Sequence, residues 1–176
     1  AFAGEYLLTV SNDQTCRLWA PVKSVSEKEV WLELARPQVH GYDLAAITSV
    51  STQHHRHTIV TGADEKEIRV FDAPLSTVQI LEQAANCATN GDKASRVDRA
   101  YIPSLGLSNK ASADDGAEAD LEGRDKSANS ALPLERDLGA VSLWPEVRKL
   151  FGHHTEIYCL TSTLEARTNL DGNPNC

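Results

Sequence analysis

One twelve-residue pattern occurs twice in this chain, and it limits the fold more than any other feature of the sequence. Residues 8–19 (LTVSNDQTCRLW) align without a gap with residues 60–71 (VTGADEKEIRVF), at an offset of 52 residues. Each copy has an apolar strand, an acidic turn and an alternating strand that ends in an aromatic residue. Both copies are followed by Ala-Pro, where proline can end a strand because it donates no hydrogen bond to the ladder. We therefore predict one β-hairpin used twice.

The segments around the second copy extend the hairpin to a larger unit. Residues 30–34 alternate as a strand does, and the short apolar run 45–50 follows His40-Gly41. The resulting order of strands and turns is typical of a propeller blade, whose repeat of about 40–45 residues has Gly-His near its start and Trp-Asp at its end. Phe71-Asp72 replaces Trp-Asp in the second copy, and Trp19-Ala20 replaces it in the first.

The Gly-His signature returns at Gly152-His153, just before the apolar stretch 156–160. The fold class that we predict is all-β, with about two WD-repeat β-propeller blades and the start of a third. Thr77–Gln83 is predicted as the outer strand of the second blade. The interval from His40 to His153 is far longer than one blade, so a long insertion separates the second repeat from the third.

We divide the chain into three parts on this basis. Residues 1–83 are predicted to form two blades, the first of them incomplete at its N-terminus. Residues 84–142 form the insertion, whose stretch 111–130 (ASADDGAEADLEGRDKSANS) has no aromatic or β-branched residue and is predicted to be a disordered acidic loop. Residues 143–176 are predicted to start a further, truncated repeat. Within them, Pro145–Leu150 is predicted to form a short helical turn with proline at its first position.

A buried hydrogen-bonded relay is the structural site that we predict. In a blade, a turn histidine, a strand Thr or Ser, a turn acid and a strand tryptophan can satisfy one another, whereas an unpaired buried polar group costs about 1–3 kcal/mol. The second copy departs from this pattern, since glutamate is longer than aspartate and phenylalanine lacks the indole donor. The residues assigned are Thr9, Asp13 and Trp19 in the first copy, His40, Thr61, Glu65 and Phe71 in the second, and His153 in the third.

The sequence contains no pattern typical of an enzyme site. It has no GxSxG elbow, no GxxxxGK[ST] phosphate loop and no strand-linked GxGxxG. A net charge of −8 argues against a nucleic-acid site built on bulk charge, and no apolar run reaches the ~18 residues of a membrane span. His54–His57 and Asp114–Asp120 lack the ligand spacing of zinc and calcium sites. We therefore assign no catalytic, cofactor-binding or metal-binding residue.

Two pairs of residues have both a structural and a functional interpretation. Arg17 and Arg69 hold equivalent third-strand positions, and we predict that they line a blade surface rather than a substrate pocket. Trp31 and Trp144 have the chemistry of partner anchors. We favour a core position for Trp31 and packing of the insertion for Trp144.

Five segments carry a specific likeness to a known family. They strongly resemble the middle of the subunit 2 family of the Elongator complex, and they occur in that family's order. Arg36–Asp43 and Leu105–Lys110 lie outside the generic blade pattern, so they point to this family and not merely to WD-repeat proteins. The segments are residues 4–15, 35–44, 62–66, 102–111 and 143–153.

The resemblance implies a non-catalytic scaffold made of two WD-repeat propellers. The family's complex modifies wobble uridines of tRNA, in the cytoplasm with some nuclear presence, and the chemistry belongs to another subunit. The implied partners are the large scaffold subunit and the acetyltransferase-like catalytic subunit, with tRNA contacted at most indirectly and no membrane contact. No cofactor is implied, and the surface that binds each partner is left unassigned.

We expect the sequence to be a fragment from the middle of a longer chain, because it contains no methionine and begins with Ala1 close to a strand. The alternative function is a generic WD-repeat adaptor, for example in signalling or ubiquitin ligation. Such an adaptor would keep the repeats but would have no need of residues 36–43 and 105–110.

Overall fold

A computed structural model gives the fold, and its two larger antiparallel sheets, beside a short two-stranded one, confirm the predicted all-β class with WD-repeat blades. The described residues are 5–23, 28–39, 41–50, 57–85, 95–103, 108–111 and 132–162. Apart from Ala111, the predicted disordered loop 111–130 therefore lies outside the described residues, as does His40. In chain order the elements are β1 (Leu7–Val10), β2 (Thr15–Lys23), β3 (Glu29–Val39), β4 (Leu44–Val50), β5 (Thr58–Ala63), β6 (Ile68–Asp72), α1 (Leu75–Ala85), β7 (Ala100–Tyr101), β8 (Lys110–Ala111), α2 (Glu135–Val141) and β9 (Glu146–Leu150).

The first repeat forms a three-stranded sheet in the order β1-β2-β3. Strands β1 and β2 are the first predicted hairpin, with Leu7 opposite Trp19 and Val10 opposite Cys16. Strand β3 follows as the outer strand, so its free edge faces away from the hairpin. Side chains of β2 alternate between the two faces of the sheet, as a period of two requires. Those that point into the core are Cys16, Leu18, Ala20 and Val22.

The second repeat forms a four-stranded sheet in the order β4-β5-β6-β9. Strands β5 and β6 are the second predicted hairpin, with Ile59 opposite Phe71. The outer strand β9 returns from beyond the insertion and pairs antiparallel with β6, so that Phe71 faces Glu146 and Ile68 faces Leu150. The insertion therefore lies between the third and fourth strands of one sheet.

The helical turn predicted for Pro145–Leu150 is wrong, because residues 146–150 form β9. A stretch of six residues gains little from helix formation in isolation. The free edge of β6 offers a row of unpaired backbone groups, and pairing with it satisfies the backbone of β9. Residues 146–150 consequently belong to the second sheet, although the sequence analysis placed them in the third part of the chain, residues 143–176.

The outer strand predicted for Thr77–Gln83 is also wrong, because these residues lie in helix α1. Thr77, Val78 and Leu81 are buried on one face of the helix, which packs against β2 and β3. The remaining positions are mostly Gln, Glu, Leu and Ala, which favour helix, and Pro74 stands where a helix start tolerates proline. The place of the outer strand is taken by β9 instead.

One apolar core joins the two sheets, helix α1 and the end of the insertion. Full burial of each large side chain in it contributes about 1.5–3 kcal/mol before the entropy of ordering is subtracted. Trp144 is one of these buried side chains, so the segment that returns from the insertion is part of the core. The largest fully buried apolar side chains of this core are Leu18, Leu34, Ile59, Phe71, Leu81 and Trp144.

The chain that follows β9 packs across the second sheet. Ile157 is buried, and its amide donates a hydrogen bond to the carbonyl of Ala63 at 3.2 Å. The hydroxyl of Ser162 donates to the carbonyl of Ser49 at 2.6 Å. Gly62 permits this close approach, since a Cβ atom there would lie 2.5 Å from Cγ2 and 2.8 Å from Cβ of Ile157. Residues 157–162, predicted to start a further repeat, are thus held against the sheet.

We expect Gly62→Ala to destabilise the protein by about 1–3 kcal/mol, because the new methyl group forces apart a β-branched side chain and a strand. Gly139→Ala is the matched control, since no atom lies within 4 Å of its added Cβ. In helix α2 that change should raise stability by about 0.5–1 kcal/mol. Chemical unfolding of the two purified variants measures both effects, and equal stabilities would contradict the packing of Ile157 on Gly62.

Candidate functional site at the sheet rim

The predicted relay of the first copy is divided between two hydrogen-bonded groups. The indole nitrogen of Trp19 donates to the hydroxyl of Thr9 at 3.2 Å, across the β1–β2 hairpin. Asp13 instead accepts from the hydroxyl of Thr15 at 2.6 Å and from the guanidinium of Arg17 at 2.9 Å. The turn acid therefore serves the turn and the strand that follows it.

The residues assigned to the other two copies also lie apart. The hydroxyl of Thr61 donates to Oε1 of Gln38 on the first sheet at 2.8 Å, in a fully buried position. Glu65 accepts two hydrogen bonds from the guanidinium of Arg69. Phe71 is buried in the apolar core, and His153 is exposed. Thr61, Glu65, Phe71 and His153 thus do not form a relay with one another. The hydrogen bond of Thr61 joins the two sheets instead.

Asp13 gives the turn a pH dependence that can be measured. The hydrogen bond from the hydroxyl of Thr15, assisted by the Thr15 amide and by Arg17, lowers the pKa of Asp13 from 3.8 to about 2. A carboxyl group with a lowered pKa in the folded state stabilises the protein above its unfolded pKa. We expect this stabilisation to be complete above pH 5 and to be lost as the pH falls from about 4 to about 2. NMR titration of the Asp13 carboxyl reads the pKa directly, and a value near 4 would contradict the hydrogen bonds described.

An arginine clasp occurs at equivalent places in both sheets. In the first sheet, Arg17 contacts the turn acid Asp13 at 2.9 Å and Glu33 of the outer strand at 3.4 Å. In the second sheet, Arg69 contacts the turn acid Glu65 and donates to Glu146 of the outer strand at 2.8 Å. Glu33 lies opposite Trp19, and Glu146 lies opposite Phe71, the equivalent position at the offset of 52 residues. The clasp therefore ties each hairpin to its outer strand.

A second repeat in the sequence marks the two outer strands, and the sequence analysis missed it. At an offset of 113 residues, residues 31–40 align with residues 144–153. This alignment matches Trp31 with Trp144, Glu33 with Glu146, Arg36 with Lys149 and His40 with His153. Only the two histidines were recognised as equivalent, although extending the alignment backwards from them would have located the outer strand β9.

The two clasps differ strongly in burial. The side chain of Arg69 is 4% exposed and that of Arg17 is 31% exposed. Burial alone would lower the pKa of Arg69, but its hydrogen bonds to Glu65 and Glu146 outweigh this effect and raise the pKa above the ordinary range of arginine. The guanidinium of Arg69 is therefore held charged between carboxylates, as a structural ion pair. Arg17 is partly exposed on its blade, whereas Arg69 is buried and does not lie on the blade surface predicted for it.

Asn109 holds the returning segment of the insertion on the first sheet. Its fully buried side-chain amide donates to the carbonyls of Pro37 and Trp144, both at 2.8 Å. The backbone carbonyl of Asn109 accepts from the amide of Glu146 at 2.9 Å, and the amide of Trp144 donates to the carbonyl of Pro37 at 3.0 Å. Two acceptors fix the orientation of the side-chain amide. Asn109 thus joins β3, the insertion and the start of β9 at one point.

Helix α2 is held beside this point by polar contacts. The hydroxyl of Ser142 accepts from the amide of Arg36 at 2.8 Å and donates to the carbonyl of Leu138 at 2.6 Å. The guanidinium of Arg36 bonds Glu33 at 2.6 Å and also contacts Glu135 at the start of the helix. Hydrogen bonds to Glu33 and Glu135 raise the pKa of Arg36. These contacts fasten the end of the insertion to the outer strand of the first sheet.

The two tryptophans that were weighed as partner anchors have different environments. Trp144 is fully buried in the apolar core at the point where the chain returns from the insertion, in agreement with the packing role predicted for it. Trp31 is 48% exposed, so its predicted core position is wrong. It lies opposite Pro21, beyond the part of β2 that β1 covers, and at the free edge of the sheet. Among the described residues, no element extends far enough to bury it.

The described part of the chain contains no cluster of three His, Cys, Asp or Glu side chains that could hold a metal ion. His57 of the His54–His57 run is buried and contacts the hydroxyl of Tyr6 at 3.2 Å, whereas residues 54–56 and the Asp114–Asp120 stretch lie outside the described residues. Burial raises the pKa of the Cys16 thiol, which makes it a weak nucleophile. No helix that the structure describes has the length and apolar character needed to span a membrane.

Eight known proteins that match the chain share one name. No model of a known protein family matches it. Proteins named Elongator complex protein 2 are 38% identical to it in Homo sapiens and 40% identical in Saccharomyces cerevisiae, in each case over 90% of this chain and 21% of the relative. The chain belongs to the Elongator complex protein 2 family. The Arabidopsis thaliana relative is 38% identical over 92% of this chain and 22% of its own length, so the chain spans about a fifth of the relatives.

Residues from three of the segments that carry the family likeness meet at the sheet rim. Pro37 comes from the segment 35–44, Asn109 from 102–111 and Trp144 from 143–153, and hydrogen bonds join the three. Arg36, next to Pro37, binds Ser142 beside Trp144. These contacts join the insertion to the outer strand of the first sheet. The rim formed by Arg36, Pro37, Asn109 and Trp144 is therefore our candidate functional site.

Proposed function

We propose that the protein is a non-catalytic WD-repeat scaffold subunit of the Elongator complex. The relatives' shared name, Elongator complex protein 2, supports membership in that complex. The observation that carries the non-catalytic role is how the buried charged groups are used. The guanidinium of Arg69 binds both Glu65 and Glu146 and so holds an outer strand in place, which is an architectural use of charge.

In this proposal the protein supports tRNA wobble uridine modification through protein–protein contacts. Its partners are the other Elongator subunits, among them the large scaffold subunit and the acetyltransferase-like catalytic subunit. The protein acts in the cytoplasm with some nuclear presence, and tRNA is contacted at most indirectly. The net charge of −8 fits this assignment, because it favours basic protein surfaces over the phosphates of a nucleic acid.

The anchored insertion is the feature that supports a dedicated partner surface. An adaptor that needed only its blades would gain nothing from the buried contacts that Asn109 makes to Pro37 and Trp144. These contacts hold α2 and the neighbouring insertion residues in a fixed position on the outer rim. A fixed insertion on a rigid sheet is the usual way in which a propeller or similar scaffold acquires a specific partner.

Affinity purification of the tagged full-length protein from its native cells, followed by mass spectrometry, tests the proposal. We expect the large scaffold subunit and the acetyltransferase-like subunit to be recovered with it. A stable but unrelated set of partners would replace the proposal with the generic adaptor. Acetyl-CoA hydrolysis by the purified protein, surviving removal of all partners, would contradict the non-catalytic role.

A further inference from the structure

The outer edge of β3 is covered along only half of its length. In the covered half, the amide of Arg36 donates to Ser142, and the carbonyl of Pro37 accepts from the amide of Trp144. In the other half, from Val30 to Leu34, β2 is the only described element that pairs with the strand. An open strand edge presents unpaired backbone groups, which form a template for a further strand.

The backbone of Trp31 is oriented towards this open edge. Trp31 lies directly opposite Pro21 in the β2–β3 ladder. Opposite residues in an antiparallel pair either exchange both hydrogen bonds or none, and proline has no amide hydrogen to give. The pair is therefore of the type without mutual hydrogen bonds, so the amide and the carbonyl of Trp31 point outwards.

The side chains beside the open edge are large and apolar. Val30 is 42% exposed and Trp31 is 48% exposed. The equivalent of Trp31 at the offset of 113 residues is Trp144, which is fully buried by the insertion and the core. Tryptophan is enriched among the residues that dominate binding energies at interfaces. The structure thus has one outer-strand tryptophan already covered and a second one without a cover among the described residues.

We propose that Val30–Leu34 is a docking edge for an extended segment of another Elongator subunit, which adds a strand to β3 and packs an apolar side chain on Trp31. This inference rests on the proposed function. The occupant is argued from continuity, because Ser142 and Trp144 already bind the adjacent half of the same edge, Ser142 through its hydroxyl and Trp144 through its backbone amide. Basic residues flanking the docked segment would suit the net charge of −8.

The test compares two substitutions in the tagged full-length protein. Trp31→Glu places a charge on the proposed docking edge, and Trp31→Ala removes the side chain without adding a charge. Val147→Glu on β9 is the matched control, because Val147 is 52% exposed and lies on the equivalent outer strand of the second sheet. Quantitative purification from native cells measures the recovery of each subunit, and thermal unfolding of the purified variants without partners measures their stability.

We expect both Trp31 variants to lose one Elongator subunit, with binding weakened about 30-fold or more, and Val147→Glu to retain it. Full recovery of every subunit with both Trp31 variants would overturn the docking edge while leaving the proposed function in place. A lower melting temperature of the Trp31 variants without partners would assign the edge to this protein's own chain. Conversion of a dimer to a monomer by Trp31→Glu would assign it to a second copy, and recovery of no subunit by the wild-type protein would overturn both proposals.

Discussion

Replacing Arg69 with methionine is expected to lower the free energy of unfolding by about 3–5 kcal/mol. The substitution leaves the carboxylates of Glu65 and Glu146, both nearly buried, without their shared cation. Removing one partner of a buried ion pair costs this much because the remaining charge is uncompensated, even where the intact pair itself contributes little. The measurement is chemical unfolding of the purified variant.

Arg17→Met is the control for this prediction, because the two arginines occupy equivalent positions at the offset of 52 residues. Arg17 is 31% exposed and its contact with Asp13 lies at the surface, so its loss should cost about 0–1 kcal/mol. Adding Glu146→Gln to Arg69→Met should recover part of the lost stability, since it removes one unpaired charge. Equal losses for Arg17→Met and Arg69→Met would contradict the difference in burial between the two clasps.

Asn109→Ala is expected to cost about 2–4 kcal/mol. The change removes two buried hydrogen bonds, each contributing about 0.5–1.5 kcal/mol. It also takes the donor described here from the carbonyl of Trp144, and a buried group left unsatisfied costs about 1–3 kcal/mol, whereas the carbonyl of Pro37 keeps the amide of Trp144. It should also loosen the insertion more than the β1–β2 hairpin, because the hydrogen bonds described for Asn109 join the insertion to the outer strands. Chemical unfolding gives the total loss, and hydrogen exchange shows where protection is lost.

Lys110→Ala is the neighbouring control, since Lys110 is exposed in β8. A surface substitution of this kind should change stability by no more than about 0.5 kcal/mol. Loss of protection in the β1–β2 hairpin as large as that in residues 142–150 would contradict the role of Asn109 as a local anchor of the insertion.

The parts of the fold that follow from the sequence are those specified locally. The hairpins β1–β2 and β5–β6 each have alternating apolar residues joined by a short acidic turn, and a hairpin of this kind needs no distant partner to be recognised. The second hairpin also repeats the first at a fixed offset of 52 residues, which makes each copy evidence for the other.

The parts that could not be predicted depend on distant contacts. Strand β9 pairs with β6 from the far side of the insertion, and nothing within Glu146–Leu150 specifies which edge it joins. Helix α1 was mistaken for that outer strand because the order of polar and apolar residues around Val78, Ile80 and Glu82 does not distinguish a strand from a helix. Only the packing of this segment against β2 and β3 decides that it is helical. The sequence around Asn109 gives no indication of its anchoring role, because the two carbonyls that it binds, those of Pro37 and Trp144, belong to distant segments.

Hydrogen exchange of residues 146–150 in the wild-type protein tests the central claim most directly, namely that the insertion returns to complete the second sheet. The pairing with β6 predicts that the amides of this segment that face β6 exchange about as slowly as those of β6 itself, and that Arg69→Met speeds their exchange more than Arg17→Met does. Exchange of residues 146–150 at the rate of an unstructured peptide, with β6 still protected, would contradict the claim.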